Sequence, residues 1–157
     1  MIIRPIESVA ELESAVAIFR SLPHYFYDRD IKRVYADIKD WLNNRPAGVK
    51  YFAGFLEDQL VSCLGYRQDL GAHQVYHLSH FAVTSSLRGQ GIGSKMLGFV
   101  EDHLTQIGAR VIVVWTSPLA YTQDTRAFYN AKGYQHTANI PDYWQDGDPL
   151  AFYIKKI

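Results

Sequence analysis

Cysteine is nearly absent from this chain, since Cys63 is the single cysteine among 157 residues. One thiol excludes an internal disulfide framework and a zinc site built from cysteines. No apolar run approaches the roughly 20 residues that a membrane-spanning helix needs. An excess of one charge is lacking too, because 16 Lys and Arg balance 16 Asp and Glu. This balance removes any general electrostatic attraction to nucleic acid or to an anionic membrane.

What remains is the composition of a soluble domain. The hydrophobic content of 48% can supply a sizeable core, and the length fits one domain better than two. Acidic residues interrupt the first 16 positions, where a signal peptide would need a continuous apolar stretch. We therefore expect a single domain over residues 1–157, in the cytoplasm, with neither nucleic acid nor membrane as a partner.

Hydrophobic periodicity predicts the element order β α α β β β α β α β β, a mixed sheet with helices on its faces in the α/β or α+β class. Ser8 and Glu11 have the spacing of a capping box for the first helix. The second helix is predicted to end at the segment Asn43-Asn44-Arg45-Pro46. Asp58-Gln59 is predicted to form a two-residue hairpin turn. The last two strands are predicted near 134–138 and 150–155.

A glycine-rich segment, Arg88 to Ser94 (RGQGIGS), lies between an apolar strand and an amphipathic helix. Glycines allow the backbone to approach a ligand, and N–H groups converge at the positive end of a helix, so the segment suits an anion. It does not match a nucleotide P-loop, because Gly93-Ser94-Lys95 has the wrong order. A dinucleotide-binding fingerprint fits poorly, since its third small residue would be Ser94. The following strand also has no acidic residue at its end to bind a ribose hydroxyl. A turn needed only for its geometry stays open as an alternative.

Two motifs in this chain resemble those of the GCN5-related N-acetyltransferases, the GNAT family. Arg88-x-x-Gly91-x-Gly93 follows the strand Phe81-Ala82-Val83, as in that family's acetyl-coenzyme A signature. Residues 125–134 (TRAFYNAKGY) look like the family's FYxKxGF helix end, and the element order is also similar. The resemblance covers essentially the whole chain and implies a GNAT-like fold with a mixed, mostly antiparallel sheet and helices on both faces.

The chain departs from the family pattern at two places. Thr122 stands where the family often has Asn, and Ser85-Ser86 replace a frequent Pro. Contacts to the coenzyme are mostly made by backbone in this family, so the departures affect only the fine geometry.

The resemblance implies acetyl-CoA as a co-substrate. Backbone N–H groups of residues 88–94 would hold the pyrophosphate, and residues 81–83 would pair with the pantetheine arm. The N–H of Phe81 would face the thioester carbonyl, and Tyr129 would face the sulfur as a general acid or hydrogen-bond donor. The implied coenzyme contacts are Phe81, Ala82, Val83, Arg88, Gly89, Gln90, Gly91, Ile92, Gly93, Ser94, Tyr129 and Lys132.

An amine acceptor must lose a proton, because alkylamines have a pKa near 10.4. Histidine suits that task, and the predicted strand 74–84 carries His77 and His80. His77 ranks first, since related histone and serotonin acetyltransferases carry a Glu or His at that place; a strand bulge would decide which of the two faces the cleft. Three histidines, His73 included, do not suggest a metal, since His80 would point away from the others. No metal is expected.

The acceptor would meet the aromatic and acidic segments 23–28 and 140–148, from which Tyr25, Tyr27 and Tyr143 are the candidate contacts. Aromatic rings with nearby carboxylates suit a small cationic amine, although surface loops with turn-forming residues would look the same. Asp69 is interpreted as an ordinary charge at a strand end.

The expected activity is direct transfer of acetyl from acetyl-CoA to a primary amine of a small molecule, an amino acid, a protein lysine or an N-terminus. Cys63 lies far from both motifs in sequence, which leaves no obvious residue to carry the acetyl group. A non-catalytic acyl-CoA sensor on the same fold is the alternative, with a nicotinamide-dependent oxidoreductase as a distant third. Because GNAT proteins often dimerise, a homodimer is one further expectation.

Overall fold

The computed structural model describes residues 1–45 and 48–157, which form seven strands and four α-helices. In chain order these are β1 (Ile2–Pro5), α1 (Val9–Arg20), α2 (Asp28–Leu42), β2 (Lys50–Leu56), β3 (Gln59–Gln68), β4 (Val75–Val83), α3 (Ile92–Gln106), β5 (Val111–Thr116), α4 (Gln123–Ala131), β6 (Gln135–Gln145) and β7 (Asp148–Lys156). This order agrees with the prediction. Pro46 lies outside the described residues. No helix in the described ranges is long and apolar enough to cross a membrane.

The strands join one sheet in the order β1-β2-β3-β4-β5-β7-β6. β4 and β5 run parallel, from Val75 opposite Val111 to Leu78 opposite Val114. The pairs β1/β2, β2/β3, β5/β7 and β6/β7 are antiparallel. A mixed sheet with four helices confirms the predicted fold class.

The chain divides into two compact units. The first contains residues 1–67 and 79–104, and the second contains residues 68–78 and 105–157. In the first unit, α1 and α2 bury apolar side chains with β2 and β3, among them Leu12, Val16, Phe19, Val34, Ile38 and Cys63. In the second unit, β5 and β7 bury Ile112, Val114, Leu150 and Tyr153. That residues 1–157 form a single domain stays a prediction.

The start of α1 shows one of the two hydrogen bonds of the predicted capping box. The backbone N–H of Glu11 donates to Ser8 Oγ at 3.2 Å, and the Glu11 carboxylate accepts the N–H of Glu7 at 2.8 Å. Arg4 donates two further hydrogen bonds to that carboxylate, at 2.6 and 3.1 Å. The bonds from Arg4 are the main reason that the pKa of Glu11 is lowered. The carboxylate therefore accepts the N–H of the residue before the N-cap and, through Arg4, ties β1 to α1.

Two predicted boundaries are wrong. The β2–β3 hairpin turns at Glu57-Asp58, one residue earlier than predicted, with φ values of 47° and 64°. A two-residue turn with both φ positive matches the right-handed twist of the strands. β6 runs on to Gln145, beyond the predicted end near 138. Pro141 does not interrupt β6, because β6 is an edge strand of the sheet. The register between β6 and β7 also shifts between Ile140 and Gln145, where Pro141 lies.

Candidate functional site

The glycine-rich turn between β4 and α3 is exposed over residues 88–91, directly before the helix. Gly89 and Gly91 adopt φ of 76° and 80°, and no atom lies within 4 Å of a Cβ built on either residue. Glycine is therefore required there by the backbone conformation and not by lack of space. The first helical hydrogen bond runs from the N–H of Lys95 to the carbonyl of Gly91 at 3.0 Å. N–H groups of the first helical turn have no acceptor within their own helix, so this geometry suits an anion.

Arg88 precedes this turn and meets a residue predicted to contact the acceptor. Its guanidinium lies 4.9 Å from the ring centre of Tyr25, which follows α1. The turn at Tyr25 is fixed by its N–H, which donates to the carbonyl of Leu22 at 3.0 Å. The first unit thus brings together a predicted coenzyme residue and a predicted acceptor residue, and the Arg88 charge lies beside the glycine turn.

His80, on β4, has polar neighbours at both ring nitrogens. Its Nδ1 is 3.1 Å from Tyr51 Oη and 3.2 Å from Ser79 Oγ. Its Nε2 is 4.0 Å from Asp30 Oδ1 on α2, with the His80 side chain 19% exposed. The ring is therefore held in orientation by neighbours on β2, β4 and α2, all within the first unit.

The groups around His80 differ in charge. Burial raises the pKa of Tyr51 far above its ordinary value, so its phenol stays neutral. Burial also acts to raise the pKa of Asp30, but the nearby His80 ring, the hydrogen bond from the Tyr27 N–H and the charge of Arg29 lower it overall. The His80 imidazole therefore lies between two different groups, the ionised carboxylate of Asp30 and the neutral phenol of Tyr51.

His77, in the second unit, is a buried histidine bound to a carboxylate. Its Nε2 lies 2.9 Å from Asp69 Oδ2, and its ring packs edge-on against Trp115 at 4.9 Å between ring centres. The interpretation of Asp69 as an ordinary strand-end charge is therefore wrong, since it is the partner of His77. The proposed role of His77 as the base stays a prediction.

Tyr129 lies at the end of α4, where the second motif folds as a helix terminus. Its side chain is 4% exposed and packs edge-on against Phe128 and Tyr134. Its carbonyl accepts the N–H of Tyr134 at 3.0 Å, across Gly133 with φ of 84°. Lys132 places its ammonium 5.9 Å from the Phe128 ring. The packing fixes the Tyr129 ring, and its contact with a coenzyme sulfur stays a prediction.

Comparison with known proteins decides the family. The profile of the acetyltransferase (GNAT) family matches residues 15–134. This chain belongs to the GNAT family. An uncharacterized N-acetyltransferase of Methanocaldococcus jannaschii is 30% identical over 80 residues, which are 51% of each chain, so this chain spans about half the length of that relative.

Solved structures agree with this GNAT fold. A GNAT-family protein from Desulfovibrio desulfuricans has a TM-score of 0.92 at 18% identity, covering 99% of this chain and 98% of its own. The ribosomal-protein-alanine N-acetyltransferase of Brucella melitensis has 0.80 at 20%, covering 100% of both. An aminoglycoside 6'-N-acetyltransferase solved with coenzyme A has 0.78 at 19%, covering 99% and 97%. At these identities the likeness shows the fold alone.

The remaining predicted acceptor contacts of this GNAT protein belong to different units. Tyr27 is an exposed residue before α2, with the Arg29 guanidinium 4.9 Å from its ring. Tyr143 is an exposed residue of β6 that packs edge-on against Trp115 and Trp144. Tyr27 belongs to the first unit and Tyr143 to the second, and both are accessible side chains.

Sequence reasoning missed Asp30 and Tyr51. Both lie far from His80 along the chain, and neither belongs to a recognisable motif. The sequence carries a weak signal for Asp30, which is an acidic residue in the first turn of α2. In the structure its carboxylate accepts the N–H of Tyr27 at 2.9 Å. That signal indicates a helix cap; the contact with His80 requires the fold.

Proposed function

We propose that this GNAT protein transfers the acetyl group of acetyl-CoA directly to a primary amine. The observation that carries the proposal is the exposed glycine turn before α3, which has left-handed glycines at the family's signature position. The family match over residues 15–134 supports it.

In the proposed complex, the backbone N–H groups of residues 88–94 bind the pyrophosphate, and Arg88 adds a positive charge next to it. The backbone of residues 81–83 pairs with the pantetheine arm, and the Phe81 N–H stabilises charge that develops on the thioester oxygen. Lys132, at the end of α4, is a further candidate coenzyme contact.

The chemistry needs two proton transfers. The neutral amine attacks the thioester carbonyl carbon, and the carbon–sulfur bond then breaks to release coenzyme A. Tyr129 donates a proton to the departing thiolate, and a histidine takes the proton that the amine loses. The products are the N-acetylated amine and the free thiol, so atoms and charge balance.

We assign the proton-accepting role first to His80. Its side chain is the more exposed of the two, at 19% against 8% for His77, and the Nε2 of His77 already contacts Asp69 at hydrogen-bond distance. His77 is the alternative base and is tested beside it.

Calorimetric titration of acetyl-CoA and thiol release with a panel of amines test the proposal. We expect binding, and thiol release with at least one amine class. Tyr129→Phe and His80→Ala should each lower the rate by roughly 10²-fold, because general acid–base catalysis contributes about that much or more. His77→Ala should have a smaller effect.

Three results would contradict parts of this assignment. Absence of acetyl-CoA binding would overturn the coenzyme site. Binding of acetyl-CoA without thiol release on any amine, together with an unchanged affinity for acetyl-CoA in Tyr129→Phe, would favour the acyl-CoA sensor. A larger loss in His77→Ala than in His80→Ala would move the proton-accepting role to His77.

A further inference from the structure

Tyr25, in the segment between α1 and α2, contacts the arginine that begins the glycine turn. The Arg88 guanidinium lies 4.9 Å from the centre of the Tyr25 ring, a distance typical of a cation–π contact. We propose that Tyr25 is a positioning residue of the coenzyme site, which holds the Arg88 guanidinium where it meets the pyrophosphate of acetyl-CoA. The inference rests on the proposed function and moves Tyr25 from the acceptor contacts to the coenzyme site.

Arg88 has hydrogen-bond donors to offer a ligand. Within residues 1–45 and 48–157, no carboxylate lies within 4 Å of its guanidinium, whereas Arg4 donates two hydrogen bonds to Glu11. Arg88 is exposed, as are the next residues of the glycine turn. A guanidinium presents its N–H groups in a planar fork that matches phosphate oxygens, so Arg88 can bind a pyrophosphate that enters from solvent.

The charges along this part of the chain suit an anion. Residues 71–100 contain no Asp or Glu, and Arg88 and Lys95 are the only Arg and Lys among them. The partner that holds Arg88 is a ring and not a carboxylate. The positive charge of Arg88 is therefore not neutralised by its partner and can attract the pyrophosphate.

An exposed arginine without such a partner has no fixed position. Its long side chain samples many rotamers in solution, and binding a phosphate selects one of them. The Tyr25 ring removes part of this freedom before the coenzyme binds, because the cation–π contact favours rotamers that keep the guanidinium over the ring. Preorganisation of this kind raises the affinity without adding a contact to the ligand.

The Tyr25 ring can orient Arg88 because its own position is fixed. The N–H groups of Tyr25 and Phe26 donate to the carbonyl of Leu22, at 3.0 and 3.2 Å, which closes the turn after α1. Leu22 is buried, and Tyr25 and Phe26 pack against the core of the first unit. Phe26 also meets Phe19 edge-on, with 4.9 Å between ring centres. The Tyr25 ring is therefore anchored in the core, whereas Arg88 is exposed.

Tyr25→Leu tests the inference, with Tyr25→Phe and Tyr35→Leu as matched controls. Leu removes the ring but keeps an apolar side chain, and Phe keeps the ring face. Tyr35 is also partly buried against the core of the first unit, and its ring has a cation–π contact of its own, with the Lys39 ammonium at 5.7 Å. Calorimetric titration of each protein with acetyl-CoA measures Kd.

We expect Tyr25→Leu to raise the Kd for acetyl-CoA about three- to fivefold, the factor that an exposed cation–π contact supplies. Tyr25→Phe and Tyr35→Leu should stay within about twofold of the wild type. An unchanged Kd in Tyr25→Leu would overturn the inference. An equal loss in Tyr25→Phe would also overturn it, because the hydroxyl would then be responsible, and so would an equal loss in Tyr35→Leu, because the effect would then be a general loosening of the core.

A double-mutant cycle shows whether Tyr25 acts through Arg88. Arg88→Met removes the charge and should raise the Kd for acetyl-CoA about tenfold or more, because a charge-assisted hydrogen bond to the pyrophosphate is lost. Adding Tyr25→Leu to Arg88→Met should then raise the Kd no further. Additive effects of the two substitutions, or an unchanged Kd in Arg88→Met, would overturn the positioning role.

NMR measures the contact itself without any coenzyme. Protons that lie over an aromatic ring are shifted upfield, so the Cδ protons of Arg88 should be shifted upfield in the wild type and in Tyr25→Phe. Tyr25→Leu should remove that shift. Equal chemical shifts of these protons in the wild type and in Tyr25→Leu would overturn the inference, whatever the affinity for acetyl-CoA.

Kinetics separates this role of Tyr25 from an acceptor contact. For an amine that is acetylated at saturating acetyl-CoA, Tyr25→Leu should keep the wild-type KM for the amine. A raised KM for the amine, together with an unchanged Kd for acetyl-CoA, would overturn the inference and return Tyr25 to the acceptor contacts. Absence of acetyl-CoA binding in the wild type would overturn the proposed function, whereas binding in the wild type with an unchanged Kd in Tyr25→Leu would overturn the inference alone.

Discussion

At the scale of single residues, Gly91 has a backbone conformation on which the proposed coenzyme site depends. Its φ of 80° is one that an L side chain rarely adopts, at a cost of about 1–2 kcal/mol, although there is open space for a Cβ. Relief of that strain would rotate the N–H groups at the start of α3 away from a bound anion.

We therefore expect Gly91→Ala to weaken acetyl-CoA binding about tenfold, measured by calorimetric titration, because about 1.4 kcal/mol corresponds to that factor. Gly98→Ala is the control, since Gly98 lies within α3 and a Cβ there meets nothing within 4 Å. It should leave the affinity unchanged and stabilise the helix by up to about 1 kcal/mol. Equal losses in the two variants would show that the turn has no special role.

At the scale of elements, a buried carboxylate joins β7 to the segment between β5 and α4. Asp148, 2% exposed, accepts hydrogen bonds from Ser117 Oγ at 2.6 Å and Tyr121 Oη at 2.7 Å. The carbonyl of Ser117 in turn accepts bonds from Thr122 and Arg126, at the start of α4. The placement of α4, and with it Tyr129, thus depends on one acidic side chain.

Asp148→Ala should destabilise the protein by about 3 kcal/mol, because two hydroxyl donors would lose their acceptor. The shift of the urea unfolding midpoint at constant slope measures this effect. Asp146→Ala changes an exposed carboxylate in the adjoining turn and should stay within about 0.5 kcal/mol of the wild type. A destabilisation of similar size in both variants would mean that the turn, and not the buried network, is responsible.

At the scale of the whole molecule, ligand binding and stability are linked. A ligand at 100 times its Kd stabilises the folded state by about 2.7 kcal/mol. For a chain of this size, each kcal/mol raises Tm by roughly 2–4 °C. We expect acetyl-CoA at that concentration to raise Tm by about 5–10 °C, measured by scanning calorimetry, and NADH to leave it unchanged. A rise with NADH alone would favour the nicotinamide-dependent alternative.

The sequence predicts the order of elements and the position of the glycine turn because both depend on local signals. Alternating or helical hydrophobic spacing, a capping box and glycines at positive φ each act within a few residues. The neighbours of His77 and His80 depend instead on which strands and helices meet. Asp69 reaches His77 across a turn, and Asp30 and Tyr51 reach His80 from α2 and β2. These contacts do not follow from the spacing of residues along the chain. The sequence therefore identifies the two histidines as candidates but does not predict their partners.

The two outer strands of the sheet also bear on how molecules of this protein behave in concentrated solution. A long regular edge strand offers a row of N–H and C=O groups on which another chain can assemble into a fibril. β1 has four residues and ends at Pro5, while β6 contains Pro141 and changes register with β7 twice. With zero formal net charge at pH 7, mutual repulsion gives this chain little protection from aggregation. The interrupted edges supply that protection in place of charge.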